Sequence, residues 1–262
     1  MELSRIKEYY DLHSKRKIED FVNGNPRVER AYQEIKTWFV NNPKDVLEIG
    51  CGIGTVANRL AKIFPDTNFN AFDISPKSIE IAKLLFQNRN LNYYLANEIN
   101  EVFFPQDQVF DIIYLIDVFE HLQDESRTIL CDFINTRLAV EGVVFMSCPT
   151  PSHQNWLKNN KPEGIQPVDF DIHLDDLINF GNKIGRRVLY YKEISVWNEG
   201  DYLHVVLGTR SLANRVKPNN LERKVGLKEA FSNKINSFLK KSQSERNDRI
   251  RHISQILPDF RI

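Results

Sequence analysis

Three glycines at alternate positions, Gly50, Gly52 and Gly54, follow the apolar run 46–49 and lead into helix-forming sequence at Thr55. Glycine tolerates positive φ and lets a ligand approach the backbone, and the start of a helix offers unpaired N–H groups. The pattern predicts a turn that cradles a nucleotide-like ligand. Asp73 closes the next apolar run, 69–72. A carboxylate at a strand end can accept the protons of both ribose hydroxyls. Two histidines, His121 and His153, fall near expected strand ends, where an imidazole that titrates near neutrality can take up a proton. His153 follows the apolar run 142–147 on the side where parallel sheets bind ligands, which makes it the better candidate base. For His121 the competing reading is a helix-start residue bonded to backbone.

The elements that position these groups are read from hydrophobic spacing. Residues 3–21 and 27–41 carry apolar residues at helical period, so two helices are expected before the first strand. Strand-like runs at 46–49, 69–72, 92–95, 110–116 and 142–147 then alternate with helical stretches. Such alternation implies a parallel sheet covered by helices on both faces. Residues 148–173 are rich in proline, asparagine and charge and read as a long loop. A helix over 174–184 and strands at 187–194 and 203–209 complete an α/β fold with seven strands. Beyond Pro218, Leu227, Phe231, Ile235, Phe238 and Leu239 recur at helical spacing, and a second polar helix is expected over 246–257. Three regions result: an N-terminal helical lid (1–43), a ligand-binding domain (44–210) and a C-terminal helical extension (211–262).

The dinucleotide fingerprint G-x-G-x-x-G would need glycine at position 55, where this chain has Thr55. The run Glu48-x-Gly50-x-Gly52-x-Gly54 instead resembles the first motif of the class I S-adenosylmethionine-dependent methyltransferases, and Asp73-Ile74 resembles the second. The resemblance covers about residues 44–209 and implies a Rossmann-like sheet with S-adenosyl-L-methionine lying across the first two strand ends. It implies that Gly50, Cys51, Gly52 and Gly54 pass beneath the cofactor and that Glu48 positions the turn and the amino group. Asp73 would grip the ribose and Ile74 would pack on the adenine. Asn97 stands where the family usually has an Asp that binds the adenine amino group; its side-chain oxygen can accept the same bond. The stretch from Phe110 to Leu122 resembles the fourth motif of the small-molecule branch, with Asp117 in place of the usual Glu, and Ile116 and Asp117 would touch the methionine part. Tyr10, with Tyr9 and Asp11, resembles an N-terminal element that closes over the cofactor.

The fourth motif lacks the Asn/Asp-Pro-Pro-aromatic sequence of the amino methyltransferases. Asp117, Glu120 and His121 resemble part of a metal-binding set of small-RNA 2′-O-methyltransferases, but the position of the missing histidine holds Val168, so no metal is expected. Basic and acidic residues both number 35, so no nucleic-acid partner is expected from the global charge. From Ser211 onward there are 12 basic and 5 acidic residues, which suits packing on the body or a homodimer through the C-terminal helices. Cys51, Cys131 and Cys148 are scattered without ligand spacing, which fits a reducing cytoplasm, and no apolar run reaches membrane-spanning length. The expected function is methyl transfer to a small molecule, on oxygen of a sugar, glycan precursor or secondary metabolite. The alternatives are a non-catalytic interaction module of the same fold and an RNA 2′-O-methyltransferase.

Overall fold

Val46 and Leu47 are adjacent, both fully buried, and belong to different cores on opposite faces of one sheet. The structure is a computed structural model that describes residues 3–39, 42–102, 104–105, 107–166, 168–211 and 231–258. The strands are β1 (Asp45–Ile49), β2 (Asn68–Asp73), β3 (Leu91–Leu95), β4 (Phe110–Ile116), β5 (Leu138–Pro149), β6 (Arg187–Ile194) and β7 (Tyr202–Gly208). They lie in the order β3-β2-β1-β4-β5-β7-β6. Strands β1 to β5 pair in parallel, and β7 inserts antiparallel between β5 and β6. The seven-stranded, mostly parallel sheet anticipated from the sequence is therefore present.

The helices are α1 (Leu3–Leu12), α2 (Ser14–Asn23), α3 (Pro26–Thr37), α4 (Thr55–Ile63), α5 (Pro76–Leu85), α6 (Asp124–Arg137), α7 (Pro151–Asn160), α8 (Leu174–Lys183) and α9 (Phe231–Ile256). On one face Val46, Phe69, Ile112, Tyr114 and Phe145 pack with apolar residues of α2 to α5 and with Ile253 of α9. On the other, Leu47, Ile49, Ile113, Leu115 and Met146 pack with α6 and α8. Each such side chain contributes about 1.5–3 kcal/mol when fully buried, which is why the central strands read as unbroken apolar runs. β1 is flanked by β2 on one side and β4 on the other, so the chain reverses its direction of travel there. The crevice beyond the carboxyl ends of β1 and β4 is the natural ligand position.

Three elements depart from the sequence reading. The first expected helix is two, α1 and α2, divided at His13, and α3 makes three helices before β1. The expected loop after residue 148 contains α7. Pro151 occupies the first turn, where a missing N–H costs nothing, and Thr150 Oγ1 caps it by accepting from the His153 N–H at 3.4 Å. The prolines therefore begin and bracket a helix instead of breaking one. Among the described C-terminal residues a single helix, α9, runs unbroken from Phe231 to Ile256, where two helices were expected; Leu227 lies outside the described residues. α9 packs on its own chain: Arg249 Nη1 donates to the Phe21 carbonyl at 3.1 Å, and Arg246 Nε to Asn23 Oδ1 at 2.9 Å.

Candidate active site

The turn after β1 has positive φ at Gly50 (74°), Gly52 (55°) and Gly54 (76°). A Cβ at Gly54 would lie 2.5 Å from the Tyr93 ring, and one at Gly50 would run into Val118. Both close approach and left-handed backbone thus require glycine. The loop is tied to β2: Gly50 and Cys51 N–H groups both donate to the Phe72 carbonyl, and Gly52 N–H donates to Asp73 Oδ2 at 2.7 Å. Asp73 Oδ1 accepts from the Ser75 N–H at 2.9 Å. Glu48 is buried beneath, its Oε2 accepting from the Ala57 N–H at 3.0 Å and the Tyr114 hydroxyl at 3.1 Å. Burial pushes its pKa up to about 8 against the lowering effect of those two hydrogen bonds. Glu48 thus ties β1 to helix α4 and to Tyr114 of β4.

Above this loop opens a cavity of about 1460 Å³. Of the residues singled out from sequence, Glu48, Gly50, Cys51, Gly52, Asp73, Ile74, Asn97, Ile116, Asp117, His121 and Tyr10 line it. Gly54 and His153 do not. His153 is buried in α7 among the rings of Trp156, Trp197 and Tyr202, away from the cavity wall. Asn97 donates its N–H to Glu101 Oε2 at 2.7 Å and its side-chain amide to Oε1 at 3.2 Å, which leaves the side-chain oxygen without a partner in that pair. The wall also includes Lys17 and Arg27 from the N-terminal helices and Glu245, Asp248, Arg249 and His252 from α9. No motif or spacing marks these residues, because they reach the cavity only through helix packing.

Polar groups gather at the carboxyl end of β4. Asp117 has a left-handed backbone, φ 53°, and pairs with Arg27 Nε at 2.9 Å. Arg27 also donates from Nη1 to the Tyr202 hydroxyl at 3.2 Å. His121 follows in a short 3₁₀ turn (Phe119–His121). Its Nδ1 lies 2.7 Å from the Val168 carbonyl oxygen. A carbonyl can only accept, so Nδ1 carries the hydrogen and Nε2 of the neutral ring holds a lone pair. Nε2 has no hydrogen-bond partner among the described residues, and burial lowers the ring's pKa. Glu120 is buried beside it, and burial together with the charge of Asp117 raises its pKa well above the carboxylate range. Among the described residues no group of three or more His, Cys, Asp or Glu side chains is placed to hold a metal ion.

A glycine loop, a carboxylate at the end of β2 and a crevice at the reversal of strand order together suit a nucleoside-bearing ligand. The family model described as "Methyltransferase domain" matches residues 24–180, more than half of the chain. The chain belongs to that methyltransferase family. The match includes the glycine loop, Asp73 and the fourth motif, and upholds the resemblance to class I S-adenosylmethionine-dependent methyltransferases. Among curated relatives, this methyltransferase is 28% identical over 116 residues to malonyl-[acyl-carrier protein] O-methyltransferase 1 of Ilyobacter polytropus, covering 44% of this chain and 37% of that protein. It is 30% identical over 120 residues to release factor glutamine methyltransferase of Streptococcus pneumoniae, covering 46% and 42% respectively. The chain thus spans less than half the length of these relatives. The structure of magnesium protoporphyrin IX methyltransferase from Synechocystis with bound SAH superposes with TM-score 0.60 at 14% identity, covering 79% of this chain and 99% of that one.

S-adenosylmethionine is the cofactor of this methyltransferase, and the residues present fit it. Gly50 and Val118 both line the cavity and lie so close together that a Cβ at position 50 would run into Val118. Both oxygens of Asp73 are oriented by backbone N–H groups, so the carboxylate is rigid before any ligand arrives. No helix of the described residues is long and apolar enough to cross a membrane.

Proposed function

We propose that this methyltransferase transfers the methyl group of S-adenosylmethionine to an oxygen of a small molecule: a sugar, a glycan precursor or a secondary metabolite. The observation that carries the reading is His121, which lines the cavity and whose tautomer is set by the Val168 carbonyl, so that Nε2 keeps a lone pair with no hydrogen-bond partner among the described residues. A hydroxyl acceptor must lose a proton as its oxygen becomes methylated, and a neutral imidazole with a free nitrogen can take it. An amine acceptor, uncharged at the moment of attack, has less need of such a group.

In this reading Gly50, Gly52 and Asp73 hold the cofactor, Ile74 and Asn97 flank its base, and the backbone at Ile116 and Asp117 meets its methionine part. The sulfonium supplies an already activated methyl group, so alignment is the main task left to the protein. The N-terminal region, 1–43, acts as a lid that brings Tyr10 to the cavity; residues 44–210 hold cofactor and acceptor; and within the C-terminal extension, 211–262, α9 braces the outer wall. Where amino methyltransferases carry Asn/Asp-Pro-Pro-aromatic, this chain has Asp117-Val118-Phe119-Glu120, which supports oxygen over a planar amide nitrogen. RNA 2′-O-methylation with a metal is less well supported: Val168 offers His121 a carbonyl where that reading needs another imidazole.

The test is calorimetric titration with S-adenosylhomocysteine, with NAD as control, followed by a screen of hydroxyl-bearing acceptors. Micromolar binding of the former alone and a His121→Gln variant that binds normally but turns over at least ~100-fold more slowly are expected, the lower end for a lost general base. Full turnover by His121→Gln would remove the base from the mechanism, and absence of binding would favour the interaction-module reading.

A further inference from the structure

Asp169 stands behind His121, and no sequence motif marks it. It lies between α7 and α8, where the chain crosses the carboxyl end of β4. Its Oδ1 is 3.5 Å from His121 Nδ1, and its side chain is only 5% exposed. Two neutral donors fix the carboxyl group: the Gln154 side-chain amide reaches Oδ1 at 2.6 Å, and the Gln166 N–H reaches Oδ2 at 3.2 Å. Gln154 is itself buried in the first turn of α7. The segment is clamped to the same turn as His121 by the Phe170 N–H, which donates to the Glu120 carbonyl at 2.9 Å. The geometry is that of a carboxylate built into place, with an imidazole as its one ion-pair partner among the described residues.

We propose that Asp169 is a positioning residue, whose charge stabilises the imidazolium that His121 becomes when it takes the acceptor's proton. This rests on His121 acting as the base. In the step, the acceptor O–H bond breaks with its proton going to His121 Nε2. The oxygen's pair forms the new O–C bond, and the methyl carbon's bond to sulfur breaks with its pair remaining on sulfur. The enzyme then carries one extra positive charge, buried, until the proton leaves to water. A fixed carboxylate at 3.5 Å offsets the cost of burying that charge. The other groups that act on the ring are Glu120, with Oε1 3.6 Å from Nε2, and the more distant Arg27 of α3. Asp117 at the end of β4 and Tyr9 and Tyr10 of α1 share the same electrostatic neighbourhood. Arg27 opposes protonation and Asp169 favours it.

The experiment is a ¹⁵N-edited titration of the histidine rings in the full chain, with His121 assigned by the His121→Gln variant. In Asp169→Asn the His121 pKa is expected to fall by about one pH unit or more, and in Gln154→Ala, which only loosens the carboxylate, by less in the same direction. A purely structural Asp169 would leave the ring pKa within about 0.3 unit of wild type in both variants, and that result overturns the proposal. If either variant fails to fold, the other still decides. Calorimetry with S-adenosylhomocysteine on the same samples separates the two readings: an unbound wild type sinks the cofactor reading, whereas normal binding with an unmoved His121 pKa sinks only the role of Asp169.

Discussion

Arg27, in the first turn of α3, and Asp117, at the end of β4, meet as an ion pair with Nε and Oδ2 2.9 Å apart, and Asp117 is held in a left-handed backbone to do so. Their side chains are 26% and 11% exposed, so the pair closes one wall of the cavity at the boundary of core and solvent. Removing one partner leaves the other charge without its counterion. Arg27→Leu is expected to lower stability by about 2–4 kcal/mol, somewhat below the usual cost of a fully buried orphan charge because water reaches Arg27. Urea denaturation of Arg27→Leu, Asp117→Asn and the double variant tests this. A double variant no less stable than Arg27→Leu is expected, and strictly additive losses would show that the two residues do not act as a pair.

Asp73 has both oxygens engaged by backbone donors and still lines the cavity. Asp73→Ala is expected to weaken S-adenosylhomocysteine binding by at least ~1.4 kcal/mol, a tenfold loss, because charge-assisted hydrogen bonds to the ribose disappear. Calorimetry on a variant that melts as a folded protein is the measurement. Wild-type affinity in that sample would remove Asp73 from the ribose contact.

Glu48 makes the fold sensitive to base. Its folded pKa of about 8 lies above the ordinary carboxylate range, chiefly through burial. In the unfolded chain it ionises near 4.3, so the stability it contributes is complete at lower pH and is lost as pH rises from about 4.3 through about 8. The slope from this one group is at most about 1.4 kcal/mol per pH unit. Glu48→Gln is expected to lose less stability than wild type between pH 5 and pH 8, read from denaturant midpoints. An equal or steeper loss in the variant would mean that Glu48 is ionised in the folded protein.

His204 acts in the opposite direction. It is buried on β7 beside the Phe145 ring, and neither ring nitrogen has a hydrogen-bond partner among the described residues. Burial first, then the positive charges of Lys192 and Arg30, push its pKa down to about 4. The unfolded chain binds the proton near pH 6.5, so the stability His204 contributes is present above that pH and lost as pH falls towards about 4. His204→Leu is expected to flatten the acid limb of the stability profile. A variant whose midpoint falls as steeply as wild type between pH 6.5 and pH 5 would place the acid sensitivity elsewhere, with His121 and His153, also lowered by burial, as the next groups to substitute.

The sequence by itself determined the glycine loop, Asp73 and the order of strands and helices. Each depends on neighbours along the chain: alternate glycines impose the turn, an apolar run ending in a carboxylate marks a strand end, and period distinguishes strand from helix. Even α7 was locally encoded, since Thr150-Pro151 is a helix start; the density of proline obscured it. Only the tertiary structure decided which histidine faces the cavity. His153 follows the expected strand but turns into an aromatic cluster, whereas His121 gains its tautomer from a carbonyl 47 residues further on. Arg27 against Asp117, Gln154 and Asp169 behind His121, and α9 along the cavity are likewise meetings of distant segments. Such contacts follow from how two cores pack on one sheet, and burial, not residue type, makes Glu48 an acid with a raised pKa and His204 a histidine with a lowered one.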